Sequence, residues 1–174
     1  MSDVEYILER LGKLEMDVHY LQNYAEREDI FVKRKKLHED AIYPTQANED
    51  DAGWDLYALV DTELEFAVPV KVKTGIAVQM PKGWWANIKP RSGLGSKCID
   101  VLGGVIDSGY TGELVVMLVN LNSARNSAGL PIYSIKKGDK IAQLVFTKLP
   151  KVTFYDSPFT ETQRGEKGFG SSGV

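Results

Sequence analysis

The sequence is poor in several things, and each shortage excludes a class of protein. It has one cysteine, Cys98, so no intrachain disulfide is available and a disulfide-stapled domain is excluded. It has two histidines, His19 and His38, far apart and without ligand spacing toward Cys98, which argues against a zinc site. No apolar run approaches membrane-spanning length, and the charged N-terminus carries no signal-peptide core. Net charge is small: 21 Lys and Arg against 24 Asp and Glu give −3, without the basic excess of a general nucleic-acid binder. A cytoplasmic protein of a reducing compartment is therefore expected, with the host cytoplasm or the nucleus as settings the sequence leaves open. With 43% apolar residues, the 174-residue chain can bury the core of one domain plus an appendage.

The first thirty residues lack proline and have one glycine, Gly12. Their apolar positions repeat in sevens. Val4, Leu11, Val18 and Ala25 share one heptad position, and Ile7, Leu14 and Leu21 share the other, as in a coiled-coil seam. Ser2 and Glu5 have the spacing of a capping box. An amphipathic helix lying on its own domain is the competing reading. From Phe31 onward glycine and proline recur between β-branched runs. Phe66–Val72, Gly75–Val78, Leu114–Val119 and Ile141–Phe146 read as strands, and the pattern predicts an all-β sandwich or barrel. The expected division is a helix over 1–29, a β domain over 30–162 and a mobile Gly- and Ser-rich arm over 163–174.

Five segments carry chemical potential. Ala52–Ala58 sets Asp55 among apolar neighbours; alone it reads more readily as a strand-end turn. Pro90–Lys97 flanks small residues with Arg91 and Lys97, a composition suited to phosphate oxygens or to a plain surface turn. Gly103–Leu114 reads as a hairpin with Asp107 and Tyr110 at a Gly-rich bend, where backbone can approach a ligand closely. Asp107 is a candidate general base or a turn residue. Lys137–Val145 is a turn leading into a strand in which Gln143 needs a hydrogen-bond partner. Arg164–Gly173 combines glycines, Ser171 and Ser172, a cation and Phe169, which suits a triphosphate with ring stacking or a disordered tail.

In order and spacing these five segments resemble the five motifs of the trimeric dUTPase family, over Phe31 to Val174. The resemblance implies a jelly-roll-like β-barrel, a homotrimer with three shared active sites, and hydrolysis of dUTP to dUMP and pyrophosphate. That activity limits uracil incorporation into DNA and supplies dUMP for dTMP synthesis. It also implies roles. Asp107 would activate the water that attacks the α-phosphorus. Tyr110 would pack under the deoxyribose and exclude a 2′-OH. Backbone around Val101, Gly104, Val105, Ile106 and Val115 would read the uracil edge. Arg91, Ser92 and Gly93 would hold phosphates. Arg164, Gly170, Ser171 and Ser172, from a neighbour's arm, would grip the γ-end while Phe169 covers the uracil. Mg²⁺ would sit mainly on the triphosphate, with Asp55 and Gln143 ordering its waters.

The chain departs from the family pattern in places. Lys140 stands where the fourth motif often has Arg, Trp54 replaces a smaller residue, and Ser123–Pro131 is longer than in compact members. Two other readings remain. A dCTP deaminase-type or bifunctional relative shares the fold and would use a Glu near Glu113. A dUTPase-fold regulatory protein would use the N-terminal helix to bind a protein partner.

Overall fold

The computed structural model describes residues 4, 6–15, 29–124, 132–163 and 165. Residues 6–15 form a helix, α1. The rest of the regular structure is β, apart from one helical turn. In chain order the strands are β1 (Lys33–Lys36), β2 (Trp54–Tyr57), β3 (Thr62–Glu65), β4 (Val70–Gln79) and β5 (Trp84–Lys89). The short α2 (Ser92–Gly95) follows, then β6 (Ile99–Leu102), β7 (Val105–Ile106), β8 (Glu113–Asn120), β9 (Ile132–Ile135) and β10 (Lys140–Lys148).

Two four-stranded sheets share one core. The first runs β1-β4-β8-β6, the second β2-β10-β5-β7, and β3 and β9 form a separate ribbon. All the strand pairs are antiparallel. Alternate side chains point inward, as the twofold period of a strand requires. Val72, Ile76, Val78, Leu114, Val116 and Leu118 come from the first sheet, and Leu56, Ala86, Ile88, Ile141 and Leu144 from the second; all belong to one buried cluster. Each large aliphatic side chain so buried contributes about 1.5–3 kcal/mol. The ribbon is tied in through buried Asn120, whose Nδ2 donates to the Leu64 carbonyl at 3.1 Å. This architecture agrees with the all-β, jelly-roll-like expectation.

The strand expectations need two corrections. Phe66–Val72 is not one strand. Phe66 makes an isolated bridge to Asn120, Ala67 turns with φ 61°, and the strand begins only at Val70. Conversely, Gly75–Val78 is not a separate strand but the second half of β4. The two halves are joined by a bulge, because β4 pairs Lys73 with Val115 but Ala77 with Glu113. Four steps on β4 therefore oppose two on β8, so Thr74, Gly75 and Ile76 together stand opposite Leu114 alone. Residues 16–28 and 125–131, which hold the rest of the heptads and most of the longer connection, lie outside the described residues.

The bulge depends on Gly75. Its φ is +67°, and an added Cβ would lie 2.8 Å from the Ala41 Cβ. Gly75→Ala should therefore lower unfolding free energy by about 1–3 kcal/mol, the cost of a strained left-handed residue. Urea denaturation checks this, and an unchanged midpoint would contradict the bulge as described.

Candidate active site

One group of the expected site residues gathers where β5 ends. Arg91 precedes α2, with Ser92 and Gly93 in its turn. Antiparallel pairing places Gln143 of β10 opposite both Asp55 and Lys89. Asp55 then stands between two cations. Its Oδ1 lies 2.7 Å from the Arg91 Nε and its Oδ2 2.7 Å from the Lys140 Nζ. Its side chain is 13% exposed, so water screens these pairs less than at an open surface. The hydrogen bond and charge of Asp55 push the Lys140 ammonium above the usual lysine range. Arg91 Nη1 also donates to the Lys140 carbonyl at 3.3 Å.

Gln143 finds the partner its position demands: its Nε2 donates to the Pro90 carbonyl at 2.9 Å. Gly53 makes room for it, since a Cβ there would run into Gln143 Oε1. A cavity of about 550 Å³ opens beside this network, lined by Arg91, Gly93, Lys97, Tyr133, Asp139 and Lys140. Leu94, Ile135 and Gly138 complete the lining, so three of its nine residues are cationic. Lys97 Nζ donates to the Tyr133 hydroxyl at 3.1 Å, so both groups face the same space. Neither Tyr133 nor the Asp55–Lys140 pair stood out in the sequence.

The second group lies on the segment between β6 and β8, which is more than a simple hairpin. Val101 pairs with Leu118, and the β6–β8 ladder ends at Leu102 and Met117. The chain then leaves the first sheet through Gly103 and Gly104, with φ of 72° and 99°. It joins the second sheet as β7, where Val105 and Ile106 pair with Asn87 and Ala86 of β5. The Ile88 N–H donates to the Gly104 carbonyl at 2.8 Å, and a Cβ on Gly104 would sit 2.6 Å from the Ile88 carbonyl oxygen. Beyond Met117, the edge of β8 carrying Val115 faces a strand that has moved away. β7 thus pairs with β5 and not with β8, so the two strands that precede and follow the Asp107 loop belong to different sheets.

Asp107 and Tyr110 lie on the loop that returns the chain from β7 to β8. Both are exposed. The Tyr110 N–H donates to the Asp107 carbonyl at 3.0 Å, and the Tyr110 hydroxyl donates to the Glu113 carbonyl at 2.8 Å. The ring lies over Gly112, where a Cβ would meet the hydroxyl oxygen at 2.6 Å. The Tyr110 face is thus fixed by its own loop. The expected arm residues Arg164, Phe169, Gly170, Ser171 and Ser172 lie outside the described residues.

A family model described as dUTPase matches residues 39–173, spanning both groups. The chain belongs to the dUTPase family. It is 42% identical over 146 residues to the deoxyuridine 5′-triphosphate nucleotidohydrolase of Clostridium novyi, covering 80% of this chain and 96% of that protein. The Staphylococcus bacteriophage 80alpha dUTPase, solved with dUPNHPP, superposes with a TM-score of 0.72 at 32% identity, covering 83% of this chain and 99% of that one. A mutant dUTPase from phage phi11 of S. aureus, solved to show the coordination of a structural Mg(II) ion, superposes at 0.68 and 28% identity, covering 76% and 99%.

Within this dUTPase-family fold, Glu113 has a structural task. Its Oε1 accepts from the buried Gly75 N–H at 2.8 Å, inside the β4 bulge. Thr74 completes the bulge: its hydroxyl donates to the Leu114 carbonyl at 2.6 Å and accepts from the Ile76 N–H at 3.2 Å. A carboxylate so engaged holds the base of the Tyr110 loop and is poorly placed for the deaminase chemistry weighed above. Glu113→Ala would leave the Gly75 N–H unsatisfied and should cost about 1–3 kcal/mol of stability. Glu113→Gln keeps an acceptor and should stay near the parent. Thermal unfolding of the two variants checks this; equal losses would mean that charge, not the hydrogen bond, matters.

Proposed function

We propose that this protein hydrolyses dUTP to dUMP and pyrophosphate, in a cytoplasmic setting. The observation that carries the reading is the parting of β6 and β8 beyond Leu102 and Met117, where the chain passes to the second sheet. The parting leaves room for a cleft with backbone walls and Asp107 nearby, and a cavity with three cationic lining residues lies elsewhere on the same domain. Backbone N–H and C=O groups read the edge of a pyrimidine as a pairing base would. Positions fixed by two sheets suit this task, because a site built to pair with one base edge rejects a mismatched one by leaving polar groups unpaired.

The uracil edge meets backbone around Val101, Gly104, Val105, Ile106 and Val115. The deoxyribose lies on the Tyr110 ring, where a 2′-OH has no room. Arg91, Ser92 and Gly93 hold phosphate oxygens, with Lys140 and Gln143 behind them. Asp107 accepts a proton from a water as its oxygen attacks the α-phosphorus. A new P–O bond forms, the bridging bond to the β-phosphate breaks, and pyrophosphate leaves. A positioned carboxylate contributes about 10²–10⁴-fold to such a step. The arm residues Arg164, Phe169, Gly170, Ser171 and Ser172 complete the grip on the γ-end and cover the base.

Mg²⁺ fits as an ion brought by the substrate. Among the described residues no three His, Cys, Asp or Glu side chains converge, and both Asp55 oxygens already face cations. Triphosphate oxygens and water would be its chief ligands, and Asp55 and Gln143 are the residues that would order that water. Bound there, the ion would supply positive charge against the triphosphate.

A homotrimer with shared sites is part of the same proposal, and strand register supports it. Along β7, Ile106 is level with Ala86 and Asp107 lies one step further toward Trp85. The phosphate group begins at Lys89, beside Gln143. From Trp85 to Lys89 is about 13 Å at 3.3 Å per residue, and Arg91 lies beyond that. One chain thus holds its base and its phosphate grip apart, whereas a neighbouring copy can bring a second set alongside.

Asp107→Asn should retain nucleotide binding and lose about 10²–10⁴-fold in kcat. Pyrophosphate release measured across dUTP, dTTP, dCTP and UTP provides the test. Turnover of UTP comparable to dUTP would remove the role given to Tyr110, and a nearly normal Asp107→Asn would remove the base.

A further inference from the structure

Helix α1 precedes the family-matched region, which begins at residue 39, so the catalytic reading leaves it without a task. Every described residue of it is exposed. Val4, Ile7, Leu11 and Leu14 are 65%, 54%, 51% and 56% exposed, and Leu8 beside them is 62% exposed. No described residue of the barrel covers this stripe. The reading in which the helix lies on its own domain therefore has no support among the described contacts. A helix with one apolar stripe is marginal by itself, because nucleation is costly and packing supplies most helical stability.

The identity of the missing partner is written in the spacing. Val4, Ile7, Leu11 and Leu14 alternate by three and four, the a/d rhythm that makes knobs for the holes of another helix of the same period. Among the described residues the chain has no second helix long enough to answer it, since α2 has four residues. The flanking charges fit a copy of the same helix. Arg10 follows the first d position at g, and Glu15 follows the second d position at e. In a parallel, in-register pair the g position of one helix faces the next e position of the other, so Arg10 meets Glu15 on each side of the seam. An antiparallel pair loses that match. Among the described residues, the Tyr6 hydroxyl accepts from Arg10 Nη1 at 3.0 Å. The sequence continues the seam through Val18, Leu21 and Ala25, outside the described residues.

We infer that α1 forms a parallel, in-register coiled coil with the same segment of other copies of this chain. The pairing stands on the helix alone; a strand number of three rests on the shared-site reading above. Copies joined to one assembly meet at an effective concentration of about millimolar, which favours a short coil that would fail in isolation. The helix then acts as a clasp on the assembly.

The test uses the full chain with Cys98→Ser, which leaves no other thiol. Leu14→Cys places sulfurs at facing d positions, within disulfide reach in a parallel coil. Glu9→Cys places them on the outer face. Mild oxidation should give roughly tenfold more linked product for Leu14→Cys than for Glu9→Cys. Equal linking would overturn the inference. Arg10→Glu and Glu15→Arg should each lower the melting midpoint of the helical signal, and the double exchange should restore it; a double variant no better than either single one would also overturn it. dUTP turnover by the same samples reports on the catalytic reading separately, because none of these side chains belongs to the site. Linked Leu14→Cys in an assembly whose mass is twice the chain's would keep the pairing and overturn the strand number.

Discussion

The site depends on one stretch of chain serving two sheets. From Ile99 to Leu102 it is a strand of the first sheet, and from Val105 to Ile106 it is a strand of the second. Only two residues lie between, and both have positive φ, which side-chain-bearing residues adopt at a cost. The Ile88–Gly104 hydrogen bond pins the crossing from one side. Glu113 and Thr74 pin the returning strand from the other, through the bulge in β4. Backbone held this way is ordered without contact from a ligand, so under the proposed function little ordering cost falls on binding.

The side proposed to hold phosphate follows a different rule. Asp55 neither lies open to solvent nor sits alone; it holds Arg91 and Lys140 by separate oxygens. Arg91 is about a third exposed and Lys140 somewhat more, so the pairs contribute modestly to stability. Their effect is on geometry. Two long, rotamer-rich cations are held in place before any anion arrives, which reduces the ordering that binding would otherwise cost. With Lys140 in place of arginine the contact is made by one ammonium, and the fork that a guanidinium would offer to two oxygens is absent.

Much of this was legible in the sequence where local patterns decide structure. Leu114–Val119 and Ile141–Phe146 read as strands from their apolar runs, and the structure extends them only to Glu113–Asn120 and Lys140–Lys148. The Gly-rich segment around Asp107 announced a close backbone approach. Long-range pairing was not legible. Lys33–Lys36 is four cations in a row and becomes a strand only because it pairs with Ile76–Gln79. The β4 bulge is invisible until Glu113 reaches across to Gly75. Nothing local links Asp55 to Arg91 and Lys140; strand order does that. The family motifs supplied what periodicity could not, because a motif records the outcome of such pairings without displaying them.

The central claim is that catalysis needs Asp107 from one copy and the Arg91 cluster from another. Complementation tests it most directly. Asp107→Asn and Arg91→Ala chains, each inactive alone, are co-expressed with different tags, and the mixed assemblies are isolated and assayed for dUTP hydrolysis. The account predicts that mixed assemblies regain a substantial share of wild-type turnover, since some sites draw an intact Asp107 from one chain and an intact Arg91 from the other. Mixed assemblies as inactive as the two parents would contradict it and place the whole site within one chain.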